Sequence, residues 1–265
     1  MKKLLETAIK AAIEAGNKIL DIYSKDFEVE FKADESPLTL ADTASHNVIV
    51  RHLNPLGIPI LSEEGRSIPY SERKSWPRLW IVDPLDGTKE FIRRNGEFTV
   101  NIALVEKGRP VLGVIYIPVQ GVLYFAGAGT GSRKVEGVGG DRNNGMVDYW
   151  VDQGRRLPID QERKVFTIVG SKSHMTAETT DYIEKLKAEH GEVEILSRGS
   201  SLKITMVAEG AADSYPRFAP TMEWDIAAGH AIARFAGARV VRADTGEELV
   251  YNKEELLNPW FIVRR

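Results

Sequence analysis

Cysteine is absent from this sequence. Its absence excludes disulfide bridges, thiolate nucleophiles and the zinc or iron–sulfur sites that cysteine builds. Any catalysis by this chain must therefore use oxygen groups, nitrogen groups or a metal ion that such groups hold.

An excess of one charge and long apolar runs are lacking too. Lys and Arg number 35 against 38 Asp and Glu, a formal net charge of −3, so the charge balance gives no reason to expect nucleic acid as a partner. No segment approaches the roughly 18 apolar residues of a membrane-spanning helix. Glu6, Lys10 and Glu14 interrupt the N-terminal stretch, unlike a signal peptide. We expect a cytoplasmic protein without a transmembrane segment; peripheral membrane association and a homodimer stay open.

The 265 residues, 43% hydrophobic and 28% charged, suffice for one large or two modest domains with a full core. Apolar residues recur at helical spacing over 4–23 and again over 40–53. Two short buried strands, IPILSEE and RLWIVDP, then end in carboxylates. Residues 98–126 alternate Val/Ile/Tyr-rich runs with turns, which predicts an antiparallel meander.

The remainder changes character twice. Residues 127–160 are rich in glycine and predict a loop or an irregular hairpin. From residue 164 strands and helices alternate, with helices at 176–190, 200–209 and 225–235. We therefore expect an α/β (α+β) fold in two parts. Residues 1–160 carry the antiparallel sheet and most of the candidate ligands, and residues 161–265 form an α/β half.

Acidic residues stand where predicted strands end. Asp83 precedes Pro84, which favours an extended conformation, so the strand should end there and turn into Asp86-Gly87-Thr88. Carboxylates three residues apart across a turn can converge on one ion, and an all-oxygen site suits Mg²⁺ or Mn²⁺ and leaves positions open for phosphate. The amides of residues 87–91 can point at an anion. Taken alone, Asp-Gly-Thr is also a common turn and helix start.

Three motifs in this order resemble a known superfamily: SEE at 62–64, DPLDGTKEF at 83–91 and EWDIAAGHAIARFAG at 223–237. It comprises the lithium-sensitive, Mg²⁺-dependent phosphatases, including inositol monophosphatases and fructose-1,6-bisphosphatases. KEFIRRNGEFTVNIAL, RGSSLK and LNPWF are most similar to the CysQ-type 3′(2′),5′-bisphosphate nucleotidases. The resemblance implies a layered αβαβα sugar-phosphatase-like fold. The glycine-rich stretch at 129–158 is the part of the sequence that does not match the pattern of this family.

The resemblance also implies the roles of individual residues. Two or three Mg²⁺ ions, with Mn²⁺ as the alternative, would be held by carboxylates and one backbone carbonyl, namely Glu63, Asp83, Asp86, Asp225 and the carbonyl of Leu85. Thr88 would hydrogen-bond the attacking water, Asp42 would orient Thr88, and Glu63 would assist catalysis. From sequence alone, Asp42 could equally be a solvated acid in the first turn of a helix.

The same resemblance implies substrate contacts at Gly87, Thr88, His174, Gly199, Ser200, Lys203 and Asp225, with Glu223 near the ribose. For His174 and Lys203 the alternative is an ordinary exposed polar side chain.

The implied function is hydrolysis of the 3′-phosphate of adenosine 3′,5′-bisphosphate to AMP and phosphate, in sulfur metabolism, with 3′-phosphoadenylylsulfate as a further candidate substrate. An inositol mono- or bisphosphatase or a fructose-1,6-bisphosphatase is the alternative, because the metal site would be shared. A non-catalytic nucleotide sensor is disfavoured, since all four carboxylates are present.

Overall fold

The computed structural model describes residues 1–25, 29–31, 37–139, 146–159, 163, 165–170 and 176–265. Its helices are α1 (Lys2–Tyr23), α2 (Leu40–Leu53), α3 (Tyr70–Arg73), α4 (Thr88–Ile92), α5 (Val147–Gln153), α6 (Ala177–His190), α7 (Leu202–Glu209) and α8 (Glu223–Phe235), with a 3-10 turn at Asn54–Leu56. Its strands are β1 (Val29–Phe31), β2 (Pro37–Thr39), β3 (Ile60–Ser62), β4 (Arg78–Asp86), β5 (Thr99–Glu106), β6 (Arg109–Ile117), β7 (Val122–Gly127), β8 (Gly131–Glu136), β9 (Arg155–Arg156), β10 (Phe166–Gly170), β11 (Val193–Ser197), β12 (Ser214–Arg217), β13 (Arg239–Arg242) and β14 (Phe261–Arg264).

The larger sheet has seven strands in the order β3-β4-β5-β6-β7-β8-β9. Its neighbours pair antiparallel except for β3 and β4, which run parallel. Lys107 (φ 49°) and Gly108 (φ 76°) connect β5 to β6, because a tight hairpin needs two consecutive residues with positive φ. The predicted meander is confirmed.

Both faces of this sheet are buried. Successive strand residues point to opposite faces, so Trp80 and Val82 pack against α1 and α2, while Leu79 and Ile81 pack against α7 and α8. Nearly every residue of β5 and β7 is therefore buried, and most of these residues are apolar. This two-sided burial explains why the sequence shows continuous apolar runs in these strands.

The second sheet has the order β11-β10-β12-β14-β13. Helices α7 and α8 lie between the two sheets, and Ile183 of α6 packs on Ile168 at the outer face. Helix α8 approaches the first sheet closely: a Cβ on Gly113 would lie 2.3 Å from the carbonyl oxygen of Ala228. The layers run helix, sheet, helix, sheet, helix, which confirms the predicted αβαβα arrangement.

The prediction of a loop or irregular hairpin for 127–160 was wrong for part of this segment. Strand β8 continues the sheet beside β7, and α5 follows. The glycines with positive φ, Gly129 (82°) and Gly131 (70°), form the turn into β8, while Val135 and Trp150 are buried. Glycine content alone does not distinguish a tight turn between strands from a long loop.

One apolar cluster crosses residue 160. It combines Ile81 and Ile115 of the first sheet with Val240 and Phe261 of the second. The division into parts 1–160 and 161–265 separates the two sheets and, as a statement about domains, stays a prediction. Within the part of the chain that the structure describes, no helix is both long and apolar enough to cross a membrane.

Candidate active site

Three carboxylates meet where the end of β3 lies beside β4 and the first turn of α8. Because these strands are parallel neighbours, Glu63 follows β3 beside Val82, and its amide donates to the Val82 carbonyl at 3.1 Å. Asp83 lies in β4, and Asp225 occupies the first turn of α8, which packs across this sheet. Carboxylate oxygens of Glu63, Asp83 and Asp225 lie within 4.8 Å of one another. The structure thus brings together three of the four predicted acidic ligands.

A β-bulge shapes the turn that follows. Asp83 pairs with Asn101 and Asp86 with Thr99, so one extra residue is inserted in β4. The prediction that the strand ends at Asp83 was therefore wrong, because pairing resumes at Asp86. The Leu85 amide donates to Asp83 Oδ1 at 3.1 Å, which steadies the buried carboxylate from within the bulge.

Asp86 is hydrogen-bonded to side chains of β5 and of the loop before α7. Its Oδ2 accepts hydrogen bonds from Ser200 Oγ at 2.5 Å, Ser201 Oγ at 2.7 Å and Asn101 Nδ2 at 3.4 Å. Ser201 Oγ also lies 3.1 Å from the Asp225 carbonyl oxygen. Asp86 therefore lies beside the cluster and connects it to the loop before α7.

The electrostatics of the cluster suit a divalent cation. Burial, with Glu63, Asp86 and Asp225 nearby, raises the pKa of Asp83 well above its usual range. Burial and the charge of Asp86 also raise the pKa of Asp225. Buried like charges disfavour ionisation, and a hard cation with oxygen ligands reverses that penalty. The donor set fits Mg²⁺ or Mn²⁺.

Thr88 and Asp42 form a second buried group. Asp42 Oδ2 accepts from the amide and hydroxyl of Thr39 at 2.8 and 2.6 Å, which caps α2. Its Oδ1 accepts from Thr88 Oγ1 at 3.2 Å, and burial raises the pKa of the Asp42 carboxyl. Asp42 is 2% exposed, so the alternative of a solvated first-turn acid was wrong.

A cleft of about 410 Å³ opens from this site. Asp86 and Asp225 are among its lining residues, and the cationic side chains on its wall are those of Lys89, Arg93, Lys203 and Arg217. No role was predicted from the sequence for Lys89, Arg93 or Arg217. Lys89 and Arg93 lie in the KEFIRR segment, on which the family resemblance partly rests. That resemblance could have indicated a role for both residues.

The loop before α7 has little freedom. Ser200 has φ 45°, and Gly199 donates its amide to Glu97 Oε2 at 2.7 Å. Lys203 Nζ donates to the carbonyls of Arg198 and Ser200 at 3.2 and 2.8 Å. Lys203 is 7% exposed, so the surface-lysine alternative was wrong, and burial lowers its pKa to about 8.

These features match a known family. The sequence model that describes the inositol monophosphatase family matches residues 1–260 of this chain. The chain belongs to the inositol monophosphatase family. Its members are metal-dependent phosphatases. The resemblance that the motifs indicated is confirmed.

Relatives within this family cover nearly the whole chain. The 3′(2′),5′-bisphosphate nucleotidase CysQ of Salmonella typhimurium is 45% identical over 265 residues, 98% of this chain and 99% of that protein. The crystal structure of CysQ from Bacteroides thetaiotaomicron is 55% identical, with a TM-score of 0.92 over 100% of this chain and 97% of that one. The suhB protein of Bartonella henselae is 26% identical, with a TM-score of 0.75 over 99% and 94% of the two chains.

Of the predicted substrate contacts, His174 lies outside the described residues. Glu223 is fully buried, and its carboxylate accepts hydrogen bonds from Asn252 and Lys253. The expectation that Glu223 contacts a ribose was therefore wrong. Gly87, Gly199 and Ser200 all line the cleft, and their contacts with a substrate stay predictions.

Proposed function

We propose that this enzyme hydrolyses the 3′-phosphate of adenosine 3′,5′-bisphosphate to give AMP and phosphate, with 3′-phosphoadenylylsulfate as a second substrate. The observation that carries the proposal is one cleft whose wall includes Asp225, a member of the acidic cluster with Glu63 and Asp83, together with several cationic side chains. A substrate with two separated phosphates matches both regions. The name of the CysQ relatives supports the same substrate class.

Mg²⁺ is the proposed metal, with two or three ions per site and Mn²⁺ as the alternative. Glu63, Asp83 and Asp225 would hold it, together with Asp86 and the Leu85 carbonyl. When bound, Mg²⁺ neutralises phosphate charge and acidifies a water molecule.

Thr88 and Asp42 would orient the attacking water. The Thr88 hydroxyl donates a hydrogen bond to Asp42 Oδ1. The lone pairs of Thr88 Oγ1 therefore stay available to accept a hydrogen bond from water. Asp42 is itself held by Thr39, so the Thr88 hydroxyl has a defined direction. An oriented acceptor lowers the cost of aligning water for in-line attack.

Arg217 is the proposed contact for the phosphate that is retained. It lies on the cleft wall, and its buried Nε has no hydrogen-bond partner among the described residues. A buried donor without a partner is costly, and an anionic ligand would satisfy it. Lys203 adds positive charge nearby while two of its protons bind loop carbonyls. His174 stays a predicted nucleotide contact.

A phosphate-release assay tests the substrate. Adenosine 3′,5′-bisphosphate, 3′-AMP, inositol 1-phosphate and fructose 1,6-bisphosphate would be compared at one Mg²⁺ concentration. We expect the highest kcat/KM for the nucleoside bisphosphate. A higher kcat/KM for inositol 1-phosphate would overturn the assignment in favour of an inositol phosphatase, and no turnover of any substrate would favour the nucleotide sensor.

A further inference from the structure

Glu223 is a buried carboxylate that the cleft does not use. It is the first residue of α8, two positions before Asp225, and it is 0% exposed. Its Oε2 accepts a hydrogen bond from the backbone amide of Asn252 at 2.6 Å. Its Oε1 accepts from the backbone amide and from Nζ of Lys253 at 3.0 and 2.5 Å. A buried carboxylate is stable only with such partners. Glu223 therefore holds residues 252–253 against the start of α8.

Arg73 holds the same segment from the opposite side. It is 2% exposed, and its guanidinium donates to Asn252 Oδ1 at 3.0 Å, to the Lys253 carbonyl and to the Glu254 carbonyl at 2.7 Å. Asn252 Nδ2 returns a hydrogen bond to the Arg73 carbonyl at 2.8 Å. We call Arg73, Glu223, Asn252 and Lys253 the 252–253 clamp.

The clamp connects the elements that carry the acidic cluster. Arg73 belongs to the connection between β3 and β4, which leads from Glu63 to Asp83. Glu223 belongs to the helical turn that carries Asp225. The first turn of a helix lacks part of its backbone hydrogen bonding, so its position depends on outside contacts. The clamp supplies such contacts to this turn.

We infer that Arg73 and Glu223 are positioning residues that set Asp225 against Glu63 and Asp83, and so determine how tightly the site binds a divalent cation. The inference rests on the proposed metal site. Neither side chain lines the cleft, so both act through Asp225 rather than on the substrate. Outer contacts that orient metal ligands typically change metal affinity by about 10–100-fold when removed.

Mn²⁺ binding to the purified full-length protein, measured by electron paramagnetic resonance without substrate, tests the inference. In Glu223→Gln, the new NH₂ group would face other donors, namely backbone amides and the Lys253 ammonium, so hydrogen bonds are lost. In Arg73→Lys, a single ammonium replaces the planar guanidinium and cannot reproduce its set of hydrogen bonds. We expect both to bind Mn²⁺ at least about tenfold more weakly than wild type. Hydrolysis should show the same loss as a raised Mg²⁺ requirement. At saturating Mg²⁺, the KM for substrate should stay within about twofold.

A matched control separates positioning from stability. Asp213, like Glu223, is a carboxylate that accepts from both a cationic side chain and a backbone amide: it accepts from the two terminal nitrogens of Arg163 at 2.8 and 2.5 Å and from the Thr167 amide. Asp213→Asn should lower the melting temperature and leave Mn²⁺ affinity unchanged. Lys253→Met removes the Nζ hydrogen bonds to Glu223 and to the Val250 carbonyl but keeps the backbone amide bond to Glu223. Because this side chain is 25% exposed, the substitution provides a milder variant if Glu223→Gln fails to fold.

The outcomes are distinguishable. Wild-type Mn²⁺ affinity in the folded clamp variants, with Asp83→Asn abolishing binding, overturns the clamp and leaves the proposed metal site standing. Weakened affinity in the clamp variants, with no hydrolysis of adenosine 3′,5′-bisphosphate by wild type, overturns the proposed substrate and supports the clamp. An equal loss of affinity in Asp213→Asn assigns the effect to general destabilisation and overturns the inference. Absence of Mn²⁺ binding in wild type overturns both.

Discussion

Asp83→Asn removes one charge from the buried acidic cluster and keeps the shape of the side chain. The asparagine amide would retain an oxygen that can accept the hydrogen bond from the Leu85 amide. Asp83 is 1% exposed and lies within 4.8 Å of the Glu63 and Asp225 carboxylates. The variant should therefore bind metal poorly and yet be more stable than wild type when both are metal-free.

The magnitude follows from the spacing of the charges. Two unit charges at the 4.8 Å limit repel by about 3 kcal/mol at an effective dielectric constant of about 20. Because the pKa of Asp83 is raised, protonation already relieves part of this repulsion. We expect a net gain of about 1–2 kcal/mol in the metal-free protein, or about 2–6 °C in melting temperature.

The pH dependence has a definite sign. A carboxyl whose pKa is higher in the folded than in the unfolded state binds more protons when folded. Stability therefore falls as the pH rises from the unfolded pKa, near 3.8, towards the folded one. The melting temperature of metal-free wild type should fall through this window, and that of Asp83→Asn should fall less.

Thermal unfolding with and without Mg²⁺, together with phosphate release, measures these effects. Saturating Mg²⁺ should stabilise wild type by about 2–3 kcal/mol when its concentration is about 100 times the dissociation constant. It should stabilise Asp83→Asn by less than about 1 kcal/mol, and kcat should fall at least about 100-fold. A metal-free variant that is several degrees less stable than wild type, or one that Mg²⁺ stabilises fully, would refute the reasoning.

Four further variants or conditions test other parts of the site and fold. Thr88→Val should lower kcat about 100-fold on adenosine 3′,5′-bisphosphate and 3′-AMP alike, and a loss on only one substrate would contradict its role with the attacking water. Arg217→Met should lower kcat/KM for the bisphosphate by about one to two decades and spare 3′-AMP; equal losses would remove its assignment. Because the pKa of Lys203 is about 8, its positive charge is lost above that pH, so KM for the bisphosphate should rise there relative to KM for 3′-AMP. A constant ratio across this range would exclude such a role. Gly113→Ala places a Cβ 2.3 Å from a carbonyl oxygen of α8 and should cost about 1–3 kcal/mol of stability. Thermal unfolding would measure this cost against Gly170→Ala, whose new Cβ has no atom of the described residues within 4 Å.

Features that depend on neighbouring residues could be predicted from the sequence. Helical periodicity predicted α2 at Leu40–Leu53 with the observed ends, because its cap and its terminating Asn54-Pro55 are local signals. Alternation and turn residues predicted the meander from β5 to β7. The motifs also predicted Glu63, Asp83, Asp86 and Asp225 as one group of ligands, and the structure brings the carboxylates of Glu63, Asp83 and Asp225 within 4.8 Å of one another. These local signals did not predict the β-bulge in β4, the burial of polar side chains or the hydrogen bonds between residues that are distant in the sequence.

Only the tertiary structure decided which partners the polar side chains have. Asp86 pairs with Ser200 and Ser201, more than a hundred residues away, and Glu223 faces Lys253 instead of the cleft. Lys203 is buried because α7 lies between the two sheets. These outcomes follow from the packing of layers that are distant in sequence. Spacing along the chain specifies the face of a helix or strand on which a residue lies, and packing specifies what that face meets.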